Sequence, residues 1–125
     1  MAKSLAQEKS LTFALHVIEV YKPLQSDREF VLSRQLLRSG SSIGADIEET
    51  LAAQSRKDFL SKMSVASKVA RETRYWRTLL QAGHLGQTDW DPSLREIDEI
   101  IRQLTAMVKT TSERPPPTQN YPSAA

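Results

Sequence analysis

The apolar residues of this chain recur with helical spacing in several segments. The clearest segment lies near the C-terminus, where one stripe at alternating steps of three and four residues consists of Leu94, Ile97, Ile101, Leu104 and Val108. Side chains at these steps share one face of an α-helix, so the stripe predicts a helix that packs against partner helices. The preceding segment has the same rhythm in Phe59, Met63, Ala66, Ala70 and Thr73, widened by Val65, Val69, Trp76 and Leu80.

The N-terminal segment predicts another helix. Its apolar stripe consists of Leu11, Leu15 and Ile18, widened by Phe13, Val17 and Tyr21. No segment alternates apolar and polar residues with the period of two that is typical of strands, so the pattern favours an all-α fold.

Capping residues predict where the helices begin. The sequence S-D-R-E at 26–29 has the form of a capping box, in which a serine oxygen and a glutamate each satisfy a backbone N–H of the first turn. S-R-K-D at 55–58 repeats this pattern with aspartate in place of glutamate. Asp91 and Pro92 stand where an N-cap and a first helical residue belong.

Proline and glycine predict where the helices end. Pro23 is expected to end the first helix, and Gly83 and Gly86 lie where the third ends, because glycine adopts a left-handed C-cap without strain. Four helices joined by short connections predict an antiparallel, up-down-up-down four-helix bundle over residues 1–112. Residues 113–125 contain three consecutive prolines and are predicted to be a disordered tail.

Two glycines, Gly40 and Gly44, lie in the second apolar segment. A phosphate-binding loop would need Gly-Lys-Ser/Thr, but Gly44 is followed by Ala45 and Asp46, which excludes that motif. A helix broken and restarted at Asp46 is one interpretation. Periodicity favours the other, a continuous helix from about residue 27 to 53 with both glycines on one packing seam. Each interior glycine costs about 1 kcal/mol relative to alanine, so a neighbouring helix is expected to pack closely there.

Composition limits the classes of function. The 125 residues fit one domain and include no cysteine, which excludes disulfides and thiolate chemistry. No apolar stretch approaches the length of about 18 residues that a membrane span needs, and the N-terminus lacks the apolar region of a secretory signal. We therefore expect a cytoplasmic protein without a membrane partner.

The residue patterns of catalytic and metal sites do not occur in the sequence. A di-iron site in a four-helix bundle needs two Glu-x-x-His pairs, but neither His16 nor His84 has an acid three residues earlier. The other acidic candidates are expected to form ion pairs across the second turn: Glu48, Glu49 and Glu72 with Arg56 and Lys57. We predict a protein that is not an enzyme and uses no cofactor or metal.

Positive charge is concentrated in the third helix. Residues 55–82 carry seven basic side chains against two acidic ones, although the whole chain has a net charge of +2. Arginine binds phosphate through two hydrogen bonds at once, and tyrosine can stack on a base. An antiparallel pairing of the second and third helices gathers such side chains at one end. The candidate nucleic-acid-binding residues are Arg34, Arg38, Lys68, Arg71, Arg74, Tyr75 and Arg77.

A second interpretation of these arginines stays open. The fourth helix begins at the same end of the bundle with acids that would neutralise part of the cluster: Asp91, Glu96, Asp98 and Glu99. Exposed ion pairs are common, and a net charge of +2 is a weak indication of nucleic-acid binding. The alternative function is a purely protein-binding scaffold whose arginines form salt bridges between subunits.

Two stretches, QLLRSGSSIGADIEE and SRKDFLSKMSVASKVARETRYW, carry a resemblance to a known family. Over residues 30–80 the chain resembles the four-helix bundle proteins encoded in 23S rRNA intervening sequences. The resemblance implies a continuous glycine-bearing second helix and a small non-enzymatic protein that forms a ring-like homopentamer. A related branch is similar to the accessory proteins of diversity-generating retroelements, which implies RNA or DNA and a reverse transcriptase as partners. The chain departs from the family pattern at Asp46, Val69 and Arg77.

Overall fold

The structure, a computed structural model, describes residues 4–85 and 90–113. The described residues form four α-helices and no strand: α1 (Leu5–Ser26), α2 (Val31–Thr50), α3 (Arg56–Ala82) and α4 (Asp91–Glu113). Each of these helices corresponds to one predicted segment. The predicted tail lies outside the described residues except for Glu113, which ends α4.

The four helices are arranged as an antiparallel bundle. α1 contacts α2 and α4, and α3 contacts the same two helices, so the helices follow one another around a square. Hydrogen bonds fix the directions of the first pair, because Gln7 of α1 donates to Glu48 near the end of α2, and Gln25 donates to Ser33 near its start. Arg56 at the start of α3 likewise donates to the carbonyl of Thr111 near the end of α4. The predicted up-down-up-down bundle is confirmed, whereas the predicted ring-like assembly stays a prediction.

The apolar stripes predicted for α3 and α4 lie in the core. Ile97, Ile101 and Leu104 are buried together with Ile100, which the stripe did not include. In α3 the buried positions are Met63, Ala66, Ala70, Thr73, Arg77 and Leu80. The sequence predicts that Val65 belongs to the apolar face of α3, but it is 47% exposed. Its position faces outward, between the sides of α3 that contact α2 and α4.

The apolar stripe predicted for α1 does not face the core. Leu11, Leu15 and Ile18 are 49%, 53% and 39% exposed, while Phe13 and Val17 are buried. The buried face of α1 consists of Ala6, Ser10, Phe13, Val17 and Leu24. α1 thus has apolar residues on two nearly opposite sides, and the bundle buries the side that fits against the glycines of α2.

α2 is continuous through both glycines, which confirms the favoured interpretation. Both glycines face α1. A Cβ atom added at Gly40 would lie 3.0 Å from Cγ2 of Val17, and one added at Gly44 would lie 3.4 Å from Oγ of Ser10. The absent side chain of Gly40 is therefore replaced by the side chain of Val17, which is the packing seam that the periodicity predicts.

The predicted helix end at Pro23 is wrong, whereas the end of the third helix at Gly83 is confirmed, with Gly83 as the C-cap of α3. Pro23 lies inside α1, which continues to Ser26. Proline removes only one helical hydrogen bond, and Leu24, with no exposed surface, anchors the last turn in the core. Gly83 has a right-handed backbone, and the left-handed residue after α3 is His84 with φ 56°. Gly86, the other predicted end, lies outside the described residues.

The capping predictions are confirmed in part. The hydroxyl of Ser55 accepts from the N–H of Asp58, and the carboxylate of Asp58 accepts from the N–H of Gln54. At 26–29, Ser26 instead ends α1, while the Glu29 carboxylate accepts from the backbone N–H groups of Leu32 and Ser33. α2 therefore begins four residues later than predicted.

Candidate nucleic-acid interface

One side of α3 carries cations without carboxylates. We define the outward face of α3 by the residues Lys57, Ser61, Ser64, Lys68, Arg71 and Tyr75, which recur at steps of three and four. The three cations are exposed, and within residues 4–85 and 90–113 they form no ion pair. Tyr75 is 59% exposed, and its ring lies edge-on to that of Trp76 at 5.2 Å between centroids. The face therefore presents positive charge and one exposed aromatic ring.

An ion pair flanks this face on the side of α2. Arg38 contacts the carboxylate of Glu72, which also accepts a hydrogen bond of 2.8 Å from the indole N–H of Trp76. The bond from Trp76 lowers the pKa of Glu72 most, burial opposes it, and Arg38 adds to the lowering. Arg38 thus lies beside the outward face of α3, near the other candidate residues. Its charge, however, is already paired with Glu72. The predicted pairing of Glu72 across the second turn is wrong.

A second ion pair flanks the face on the side of α4. A guanidinium nitrogen of Arg74 lies 3.2 Å from a carboxylate oxygen of Asp98. This ion pair agrees with the expectation that acids of the fourth helix neutralise part of the arginine cluster. Two other acids of α4 are directed to α1 instead: Glu96 lies 2.8 Å from Nδ1 of His16, and Glu99 lies 3.0 Å from Lys9. Of these three acids, Asp98 therefore pairs with an arginine of the predicted cluster, and the other two pair with side chains of α1.

Arg77 does not belong to the exposed cluster in which the sequence placed it. Its side chain is buried, with the residue 1% exposed, and it donates to the carbonyl of Trp90 at 2.9 Å and to Oγ of Ser93 at 3.1 Å. The guanidinium also lies over the indole ring of Trp90, 5.9 Å from its centroid. Burial lowers the pKa of Arg77, and the charges of Asp91 and Asp98 oppose that shift. Arg77 ties the end of α3 to the start of α4.

The predicted arginine cluster is therefore only partly assembled. Lys68, Arg71 and Tyr75 share the outward face of α3, and Arg38 and Arg74 flank it on opposite sides. Arg34 is exposed one helical turn from Arg38 on α2.

The predicted site did not include Lys109 and Thr105 of α4, which line one groove together with Arg71. The spacing of the two residues, four apart on an exposed side of α4, was visible, but their proximity to α3 depends on the packing of the helices.

The described residues contain no group of three or more histidine, aspartate or glutamate side chains that could hold a metal ion. His16 is held by Glu96, and His84 lies in the turn after α3. In the same part of the chain, no helix is long and apolar enough to cross a membrane.

Comparison with known proteins places these features in a family. The family model described as 23S rRNA-intervening sequence protein matches residues 3–106. A crystal structure of a protein of unknown function from the S23 ribosomal protein family of Bacteroides thetaiotaomicron is 40% identical to this chain. The match covers 84% of this chain and 99% of that one, with a TM-score of 0.78. Among curated proteins, none matches.

Proposed function

The chain belongs to the 23S rRNA-intervening sequence protein family, and from that premise we propose that it is a non-enzymatic, homo-oligomeric module that binds RNA through the outward face of α3. The observation that carries the proposal is the contrast between neighbouring cations. Arg38 and Arg74 are paired with carboxylates, whereas Lys57, Lys68 and Arg71 between them are exposed and form no ion pair among the described residues.

The chemistry of this face suits a single strand. Exposed lysine and arginine attract phosphates, and an exposed tyrosine such as Tyr75 provides a surface on which a base can stack. Lys57 and Arg71 are 14 residues apart, which corresponds to about 21 Å along a helix. This length lets one strand contact several cations at once. In the cell the module would serve as an accessory to an RNA-containing complex, such as one with a reverse transcriptase.

Self-association is the second part of the proposal, with five subunits as the family resemblance implies. The exposed stripe Leu11, Leu15 and Ile18 on α1 supports it, because an apolar stripe at helical spacing is the kind of surface that a second subunit covers. Ala45 on α2 and Ala52 in the turn after it add small exposed residues. Native mass spectrometry should give five times the chain mass of 14.1 kDa, and a monomer at micromolar concentration would contradict this part.

RNA binding is tested by removing charge from the face. Lys68→Gln combined with Arg71→Gln should weaken binding of a fluorescently labelled single-stranded RNA measured by anisotropy. The logarithm of the affinity should also depend less steeply on the logarithm of the salt concentration, by about 0.7 for each lost phosphate contact. The control is Lys22→Gln with Arg95→Gln, which removes the same charge from exposed positions on α1 and α4.

The same pair of variants separates the two interpretations of the arginines. If the cations serve salt bridges between subunits, the Lys68 and Arg71 variant should lose subunits in native mass spectrometry at unchanged RNA affinity. Equal salt dependence in the variant and the control would contradict RNA binding by this face.

A further inference from the structure

We infer that the groove between α3 and α4 is a phosphate-binding subsite that holds one phosphodiester group of a bound RNA strand between Arg71 and Lys109. The inference rests on the proposed RNA binding and adds a site on α4 to it. The groove has a volume of about 370 Å³. Its lining consists of Ser64, Ser67, Arg71, Thr105, Val108, Lys109 and Ser112.

The lining has the composition that a phosphate needs. It includes four hydroxyl groups and two cations, and it includes no carboxylate. Guanidinium and hydroxyl groups donate hydrogen bonds to phosphate oxygens, although the Ser112 hydroxyl already donates to the carbonyl of Lys109. The absence of a carboxylate from the lining avoids repulsion of the anion. Two acids of α4 lie outside the lining: Asp98 is engaged by Arg74 at 3.2 Å, and Glu113 lies exposed at the end of α4, four residues after Lys109.

Arg71 is held in place at the edge of the groove. One of its terminal nitrogens donates to Oγ1 of Thr105 at 3.2 Å, which leaves further N–H groups for a ligand. Because α3 and α4 are antiparallel, the contact between Arg71 and Thr105 sets Ser67 opposite Lys109 one turn further along. The cation of α3 and the cation of α4 thus lie on opposite walls of the groove, about one helical turn apart.

The other groove beside α4 shows that this charge arrangement is specific to one side. Between α1 and α4 lies a groove of about 260 Å³, whose lining includes three carboxylates and one lysine: Glu8, Glu96, Glu99 and Lys9. Lys9 is paired with Glu99, so its charge is engaged there. One helix therefore borders an acidic groove on one side and an acid-free, cationic groove on the other, and only the second suits a polyanion.

The position of Tyr75 favours a nucleotide over a free phosphate ion as the ligand. Tyr75 lies four residues after Arg71 on the outward face of α3, about 6 Å along the helix axis, and it is 59% exposed. A nucleotide whose phosphate lies in the groove can therefore place a base against the tyrosine ring. The groove itself is lined by only one apolar side chain, Val108, and offers no surface for a base.

The test uses the full chain and a labelled single-stranded RNA of about 20 nucleotides, with anisotropy measured over a range of potassium chloride concentrations. Lys109→Gln should weaken binding about three- to tenfold and reduce the salt slope by about 0.7. Ser67→Leu fills the groove without a change of charge, so it should displace the phosphate, weaken binding and reduce the salt slope by a similar amount. Arg95→Gln removes one charge from the same helix outside the groove lining, and it should bind like the wild type.

The outcomes distinguish this inference from the proposed function. If Lys109→Gln and Ser67→Leu bind like the wild type while the Lys68 and Arg71 variant is weakened, the groove is not a subsite and the proposed function stands. If the wild-type protein does not bind the RNA, both are wrong. Titration with inorganic phosphate tests whether the groove binds a free phosphate ion instead of a phosphodiester of RNA. The amide signals of Ser67 and Thr105 report binding by NMR. Saturation by inorganic phosphate without competition from RNA would overturn the assignment to a phosphodiester.

Discussion

The helix pairs α1–α2 and α3–α4 both have small residues where the two helices meet. In the first pair these residues allow close contact, and in the second they line an open groove. At α1–α2 the small residues Gly40 and Gly44 face the neighbouring helix, and Val17 occupies the space beside Gly40. At α3–α4 the small residues Ser64 and Ser67 line an open groove. A small residue closes a helix contact where a bulky apolar side chain lies opposite. Opposite a cationic side chain such as that of Lys109, the same size of residue leaves an open groove.

The α3–α4 pair also differs along its own length. Arg71 lies at the open groove, and Arg77, less than two turns later, is enclosed by Trp90, Ser93 and Gln81. The two arginines have the same chemistry, so the difference comes from the residues that α4 and its preceding turn present to each. Arg71 is available to a ligand, whereas Arg77 holds the end of α3 against the start of α4.

The largest expected effect is at the closed seam. Gly40→Leu places a branched side chain where a Cβ alone would lie 3.0 Å from Val17, so it should lower the free energy of unfolding by more than about 3 kcal/mol. Urea denaturation measures this change. Gly44→Ala is the matched control, because its Cβ meets Oγ of Ser10 at 3.4 Å and alanine favours the helix by up to about 1 kcal/mol. Equal stability of Gly40→Leu and the wild type would show that the seam is not closed.

The next effect is at the enclosed end of α3–α4. Arg77→Ala leaves a cavity, deprives the hydroxyl of Ser93 of its donor and removes one of several donors to the carbonyl of Trp90, so it should cost about 2–3 kcal/mol. Arg74→Ala, on the same helix, breaks only an exposed ion pair and should cost less than about 1 kcal/mol. Thermal or urea denaturation of both variants compares the two positions. Similar losses would contradict the distinction between the enclosed and the exposed arginine.

The smallest effect is expected at the ion pair that joins α2 of the first pair to α3 of the second. The pKa of Glu72 is lowered from its ordinary value of 4.5, so its charged form stabilises the folded state. This contribution is fully present above pH 4.5 and is lost as the pH falls through the lowered pKa. Because Glu72 is 36% exposed, solvent screening limits the contribution to a few tenths of a kcal/mol.

The pH dependence of stability measures that contribution. Glu72→Gln should be slightly less stable than the wild type at pH 7, and the two stabilities should converge as the pH falls through the lowered pKa of Glu72. Glu19→Gln, at an exposed position of α1, is the control that changes the same charge. A difference between Glu72→Gln and the wild type that does not vary with pH would exclude the ionised carboxylate as its source.

Much of the fold could be predicted because its signals are local. The stripes of α3 and α4, the Ser55 cap and the continuous α2 follow from spacing and from hydrogen bonds within a few residues. The errors have a common origin in packing. Leu11, Leu15 and Ile18 of α1 have the spacing of a core stripe, but Phe13 and Val17 are the side chains that fit the glycines of α2. Periodicity finds an apolar face but does not choose between two.

The candidate site shows the same division. The sequence by itself determined that the third helix carries seven of the 17 lysines and arginines against two acids. It also determined that Lys68, Arg71 and Tyr75 share one side of that helix, because this relation depends on helical geometry alone. Only the tertiary structure decided that Arg77 is enclosed, that Arg38 and Arg74 are paired with acids, and that Lys109 lies across a groove from Arg71. Charge pairing and burial depend on which helices are neighbours and at what register, and residues of different helices meet only after the bundle has formed.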